Sequence, residues 1–244
     1  MSLIAAEGGP ELVEGSRISV HTLGCKLNYA ETSTIARSFV ESGFTLVDFD
    51  RETDVFVLNT CSVTENAEKE CRQILRRVLR QSPNAFVIAT GCYAQLRPEE
   101  IASIEGVDLV LGAREKQDAL KYVSNFEQSS GPRIFVSEIG DASDFHVAET
   151  AEGHGHTRAF LKVQDGCDYA CSFCTIPVAR GASRSASVDD ITQRARALCE
   201  ECFREIVLTG VNVGDFGRRS GTSFFELLLA MERDSRIAAR IRIS

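Results

Sequence analysis

Short apolar runs alternate with helical stretches along the first half of this chain, and that alternation limits its fold more than any other feature. The runs cover residues 17–22, 54–59, 85–90 and 107–111, and helical patterns cover residues 30–42, 64–81, 98–104 and 115–125. Apolar runs of strand length separated by helices predict parallel strands with helices packed on both faces of the sheet. The predicted class is therefore α/β.

Residues 17–126 read on this basis as a flavodoxin-like or Rossmann-like parallel-sheet domain. Residues 1–16, with Gly, Pro and Glu prominent, read as a disordered lead-in without the basic region and apolar run of a signal peptide. Residues 127–157 read as a linker around one strand at 133–137. A second β/α series follows over residues 158–244. It has strands at 159–163, 205–208 and 240–244 and helices at 188–202 and 223–233. Three β/α steps do not close a barrel, so this series reads as the first, truncated part of a larger domain. No segment has the length of a membrane span.

Nine cysteines without a secretion signal point to the reducing cytoplasm, where metal binding or catalysis is favoured over disulfides. Three of them, Cys167, Cys171 and Cys174, follow one another as C-x3-C-x2-C with Phe173 before the last. Such a trio can hold three corners of an iron–sulfur cube and leave the fourth iron open, whereas structural zinc takes four ligands. Cys25, Cys61 and Cys92 lie far apart in sequence, yet each directly follows a predicted strand. In a parallel sheet those ends share one edge, so the three thiols can converge on one metal site. Gly24 and Gly91 allow tight backbone bends beside them. The alternative is three buried cysteines serving as small hydrophobes.

The other cysteines fit core positions. Cys71 continues the stripe Ile74, Leu75, Val78, and Cys202 continues Ile191, Ala195, Leu198, with Cys199 beside it. His154 and His156 flank a glycine in the linker and could add to a zinc site, although a solvated linker is the simpler reading. Arg72, Arg76 and Arg80 recur at every fourth residue opposite the apolar stripe. That face can either meet phosphates or remain solvated. The net charge of −8 means that a nucleic-acid partner would need such a local patch or a further domain.

Together these residues resemble a known family. The run Cys167-x3-Cys171-x2-Cys174 after a strand is similar to the radical S-adenosylmethionine superfamily. The segments around Cys25, Cys61 and Cys92, with 176–181 and 207–212, resemble its methylthiotransferases from Arg17 onward. The resemblance implies a radical S-adenosylmethionine (β/α) partial barrel over residues 158–244 and two [4Fe–4S] clusters. Cys167, Cys171 and Cys174 would hold the cluster that chelates S-adenosylmethionine and cleaves it to a 5′-deoxyadenosyl radical. Cys25, Cys61 and Cys92 would hold an auxiliary cluster carrying the sulfur to be inserted. Phe173, Thr209, Gly210 and Asn212 lie where the superfamily contacts S-adenosylmethionine.

Residues 22–28, 72–77 and 90–95 are most similar to the branch that methylthiolates C2 of N6-threonylcarbamoyladenosine at position 37 in the anticodon loop of tRNA. The other branches act on isopentenyladenosine in tRNA or on an aspartate of a ribosomal protein. The resemblance also implies a reductant protein such as flavodoxin or ferredoxin and a cytoplasmic location, without a membrane partner. A non-enzymatic zinc or iron–sulfur protein is the competing class. The chain read as an N-terminal fragment is expected to be inactive alone.

Overall fold

A computed structural model of the chain describes residues 15–61, 66–124, 131–140, 145–150 and 158–244. The expected lead-in up to residue 14, His154 and His156 lie outside these residues. The described residues form two compact units, one of those up to residue 28 and between 34 and 138, the other of residues 29–33 and those from 139 onward.

In the first unit the order is β1 Arg17–Thr22, α1 Lys26–Glu41, β2 Thr45–Leu46, β3 Val55–Thr60, α2 Asn66–Gln81, β4 Phe86–Gly91, α3 Cys92–Leu96, α4 Pro98–Ala102, β5 Leu109–Leu111, α5 Ala119–Ser124 and β6 Arg133–Phe135. The strands form one parallel sheet in the order β2-β1-β3-β4-β5-β6. The first five follow the flavodoxin-like order, so the predicted class and topology both hold.

Every residue of β3 and β4 is buried, as strands covered on both faces require. Alternation divides their side chains between two cores. Val55, Val57, Phe86 and Ile88 pack with Ile35 and Phe39 of α1. Phe56, Leu58, Val87 and Ala89 pack with Cys71, Leu75 and Val78 of α2. Cys71 is a core residue, as its place on the apolar stripe predicts.

Arg17 fixes the start of the β1–β3 pairing. Its backbone N–H donates to Asp54 Oδ2 at 2.7 Å and its Nη2 to Oδ1 at 2.9 Å. The stretch read as a linker around one strand holds two, the second being residues 148–149, which pair antiparallel with residues 161–162. Residues 133–135 form β6 and extend the first sheet beside β5.

The second unit contains β7 Ala148–Glu149, β8 Arg158–Lys162, β9 Gln164–Asp165, α6 Ile176–Arg180, β10 Arg184–Ser185, α7 Val188–Glu200, β11 Glu205–Thr209, α8 Phe224–Arg233 and β12 Arg240–Ile243. Its main sheet runs β12-β11-β8-β7, with β8, β11 and β12 parallel and β7 antiparallel at the edge. Ser187 and Ser223 cap α7 and α8 by accepting the N–H groups of Asp190 and Glu226. The core reading of Cys202 is corrected. Helix α7 ends at Glu200, and Cys202 is exposed with φ +70° in the turn beyond it. Cys199 is half-buried against the core. Among the described residues no helix is long and apolar enough to cross a membrane.

The Arg17 guanidinium holds the Asp54 carboxyl below the usual carboxylate range. A depressed folded-state value gives stability that is complete above the unfolded carboxylate pKa of about 4 and is lost as pH falls through the folded value. Asp54→Asn should therefore flatten the acid side of the melting-temperature profile while lowering the neutral plateau. Superimposable acid limbs for the two proteins would count against this role.

Candidate functional site

Parallel pairing gives the first cysteine trio its placement. Thr22 aligns with Asn59 across β1–β3, and Thr60 with Gly91 across β3–β4. Cys25, Cys61 and Cys92 thus follow the C-terminal ends of three adjacent strands. This edge includes the β1/β3 position where chain order reverses, the usual ligand crevice of such sheets.

Two glycines and a small hydrogen-bond network shape this edge. Gly24 has φ +104°, and a Cβ there would lie 2.8 Å from Cys61 Sγ. Gly91 has φ +100°, and a Cβ there would lie 2.3 Å from the Thr60 carbonyl oxygen. Buried Asn28 donates to the carbonyls of Leu23 and Thr60, and Asn59 donates to the Asn28 carbonyl. Cys25 caps α1 with extended backbone and is exposed, Cys61 is half-buried, and Cys92 opens α3 and is 5% exposed.

In the second unit the other trio sits on the loop between β9 and α6. Gly166 precedes it with φ +70°, where a Cβ would lie 2.1 Å from the Ala182 carbonyl oxygen. The Cys167 N–H donates to the Gly181 carbonyl at 3.0 Å, and the Cys174 N–H to the Cys171 carbonyl at 3.1 Å. Phe173 is 89% exposed on this loop.

Of the other candidate contacts, Thr209 is buried at the end of β11. Gly210 lies so close to Gln164 that a Cβ would come within 2.8 Å of Oε1. Asn212 donates its N–H to that same oxygen and its side-chain amide to Asp215. The structure therefore brings Gly210 and Asn212 against Gln164, while Thr209 aligns with Lys162 and accepts the Val163 N–H, in the strand segment that leads into the cysteine loop.

Sequence reasoning missed the residues that brace this loop. Asp168 accepts the Ser183 N–H at 2.8 Å and pairs with Arg219, and the Ser183 N–H, ahead of Arg219, keeps its carboxyl below the ordinary range. Tyr169 donates to Asp215 at 3.2 Å and accepts from Arg218. Behind the loop is a buried ion cluster within the second unit. Arg180 meets Glu31 and Asp165, Lys162 meets the same two carboxylates at 2.8 and 2.7 Å, and Arg184 meets Asp165 at 3.1 Å. Lys162 at the end of an apolar strand was the one available signal, because an unpaired charge there would be costly.

None of the six cysteines is in a disulfide. Among the described residues, no three His, Cys, Asp or Glu side chains gather tightly enough to share one metal ion. A four-iron cube offers a different iron at each corner, so its three thiolates stand further apart than ligands of one ion. Three free thiols on a short, braced and partly open loop fit a cluster of that kind.

Comparison with known proteins agrees with this geometry. A profile described as "Uncharacterized protein family UPF0004" matches residues 17–112, enclosing the first trio, and the "Radical SAM superfamily" profile matches residues 161–241, enclosing the second. The threonylcarbamoyladenosine tRNA methylthiotransferase MtaB of Bacillus subtilis is 40% identical over 93% of the chain and 51% of the relative. Its namesake in Aquifex aeolicus is 36% identical over 87% of the chain and 52% of the relative. The chain thus carries the two profiles in succession and is similar over most of its length to tRNA methylthiotransferases.

A tRNA-2-methylthio-N(6)-dimethylallyladenosine synthase of Chloroherpeton thalassium is 30% identical over 93% of the chain. The chain spans about half the length of these curated relatives. A solved structure of the radical S-adenosylmethionine methyltransferase TsrM from Kitasatospora setae, with cobalamin and a [4Fe–4S] cluster bound, shares the fold. It gives a TM-score of 0.62 at 14% identity, over 93% of this chain and 54% of that one. The radical SAM match over residues 161–241 implies an iron–sulfur cluster and S-adenosylmethionine.

Two substitutions test the geometry. Gly91→Ala forces a Cβ into the Thr60 backbone and should cost more than about 1 kcal/mol in urea unfolding; an unchanged midpoint would contradict the close approach. Arg180→Leu leaves Glu31 and Asp165 short of a buried cation and should cost about 3 to 5 kcal/mol, the scale for breaking a buried pair. A loss below about 1 kcal/mol, the scale of an exposed pair, would show that the ions are solvated.

Proposed function

We propose that this protein transfers a methylthio group to C2 of N6-threonylcarbamoyladenosine at position 37 of tRNA. The observation that carries the reading is the pair of thiol trios, each at strand C-termini, inside a chain 36–40% identical to relatives named for that reaction. Cys167, Cys171 and Cys174 would hold a [4Fe–4S] cluster, and Cys25, Cys61 and Cys92 a second one. When bound, these clusters and S-adenosylmethionine supply one-electron cleavage of the sulfonium and the sulfur that is inserted.

The chain's own residues act by holding and orienting. In each trio no fourth thiol of the same loop or edge competes for the remaining iron. Phe173 offers an exposed apolar ring beside the last thiol of its loop, suited to the nucleoside part of S-adenosylmethionine. Gly210 lets the strand end pack directly on Gln164, where a Cβ would intrude, while Thr209 and Asn212 bear polar groups on the same strand end. Asp168 and Tyr169, tied to Arg219 and Asp215, hold the loop that carries the three thiols in place. A low-potential donor such as flavodoxin or ferredoxin would supply the electron, and the cytoplasm, where tRNA is modified, is the matching compartment.

Nucleoside analysis of tRNA from cells lacking the gene tests the assignment. The methylthio form of threonylcarbamoyladenosine should disappear and return with the intact gene, but not with Cys61→Ala or Cys171→Ala. Loss of the methylthio form of isopentenyladenosine instead would move the protein to the other tRNA branch. Unchanged tRNA would remove tRNA as the substrate.

A further inference from the structure

Helix α2 buries Cys71, Leu75 and Val78, which turns a row of arginines away from the core. Arg72, Arg76 and Arg80 succeed one another at four-residue steps, each advancing about 6 Å along the axis. They line a cleft of about 600 Å³ together with Leu79, Ile104 and Glu105. Gly106 closes the far wall against the helix, because at φ +86° a Cβ there would lie 2.2 Å from Leu79 Cδ1. The cleft thus has a fixed second side and is more than a solvated helix face.

Charge and spacing together indicate its occupant. Three guanidinium groups face one carboxylate, in a chain whose net charge is −8. Among the described residues, neither Arg76 nor Arg80 is held by an ion pair or hydrogen bond. Guanidinium pairs with phosphate in a planar two-bond geometry. A single small anion would need the three groups to converge, whereas these are spread over about 12 Å. A string of phosphates satisfies a row of that length.

We infer that this cleft binds the phosphodiester backbone of RNA, one phosphate to each arginine. The inference rests on the RNA-modifying function proposed above and adds where the strand is held. Helix α2 leaves the sheet edge that carries Cys61, and its arginines lie about 9 to about 21 Å along the axis from Asn66. One RNA molecule can therefore present a base at that edge and its backbone to the cleft. Leu79 and Ile104 give the cleft an apolar floor for ribose. The contact is independent of base sequence and acts through charge.

Fluorescence anisotropy with purified, cluster-reconstituted protein and unmodified tRNA, over about 50 to 200 mM salt, tests the inference. The Arg72→Gln/Arg76→Gln/Arg80→Gln variant should bind more weakly, and its log–log salt slope should be shallower by about 2 to 3, at 0.7 to 0.9 per phosphate lost. Its iron content and urea midpoint should match the parent. Glu105→Gln should tighten binding, an outcome that misfolding does not produce. A triple variant with the parent's affinity and slope overturns the inference while leaving the proposed function standing. Competition by inorganic phosphate without any change in tRNA affinity reassigns the cleft to a small anion and also overturns it. Absence of salt-dependent tRNA binding by the parent overturns both.

Discussion

Parallel pairing of β1, β3 and β4 is the constraint on which the rest of the first unit depends. Parallel strands end together, so the residue after each strand arrives at the same edge whatever its distance in sequence. Cys25, Cys61 and Cys92 reach one edge of the sheet for that reason. The spacing then leaves little room: Gly24 against Cys61 and Gly91 against Thr60 allow the backbones to approach where any Cβ would collide. Buried Asn28 satisfies the Leu23 and Thr60 carbonyls exposed as the strands end, and Asn59 ties the Asn28 backbone to the edge, which keeps it from fraying into solvent.

The second unit solves the same problem by different means. Its three thiols lie on one loop, so no pairing is needed to gather them, but a loop of this kind needs support. That comes from the Cys167–Gly181 backbone bond, from Asp168 and Tyr169, and from the buried ions behind Asp165. The ion cluster is a costly device if judged by stability alone, since apolar packing often does as well. Its directional bonds fix Asp165, and Gly166 and Cys167 follow at once in the chain. Position, more than stability, is what such a network contributes.

Much of this was legible in the sequence, for identifiable reasons. The strands were visible because buried parallel strands are continuously apolar, and β3 and β4 are buried at every residue. The cysteines were visible because they punctuate those runs. Other features depend on partners distant in sequence. Glu31 pairs with Lys162 and Arg180 across more than a hundred residues, and nothing near it in sequence marks it. Strand β6 has only three residues and joins the first sheet from a stretch with linker composition. Cys202 fits the apolar stripe of α7, but the helix ends two residues earlier and turns the thiol outward.

The central claim is that the two trios are separate cluster sites within one chain. Iron and sulfide analysis of anaerobically reconstituted protein, with Mössbauer spectra of the parent and of one variant lacking each trio, tests it most directly. Two four-iron clusters require about eight iron and eight sulfide per chain, and about four of each in either variant. Loss of all iron on removing one trio, or a parent that holds only four, would contradict the account.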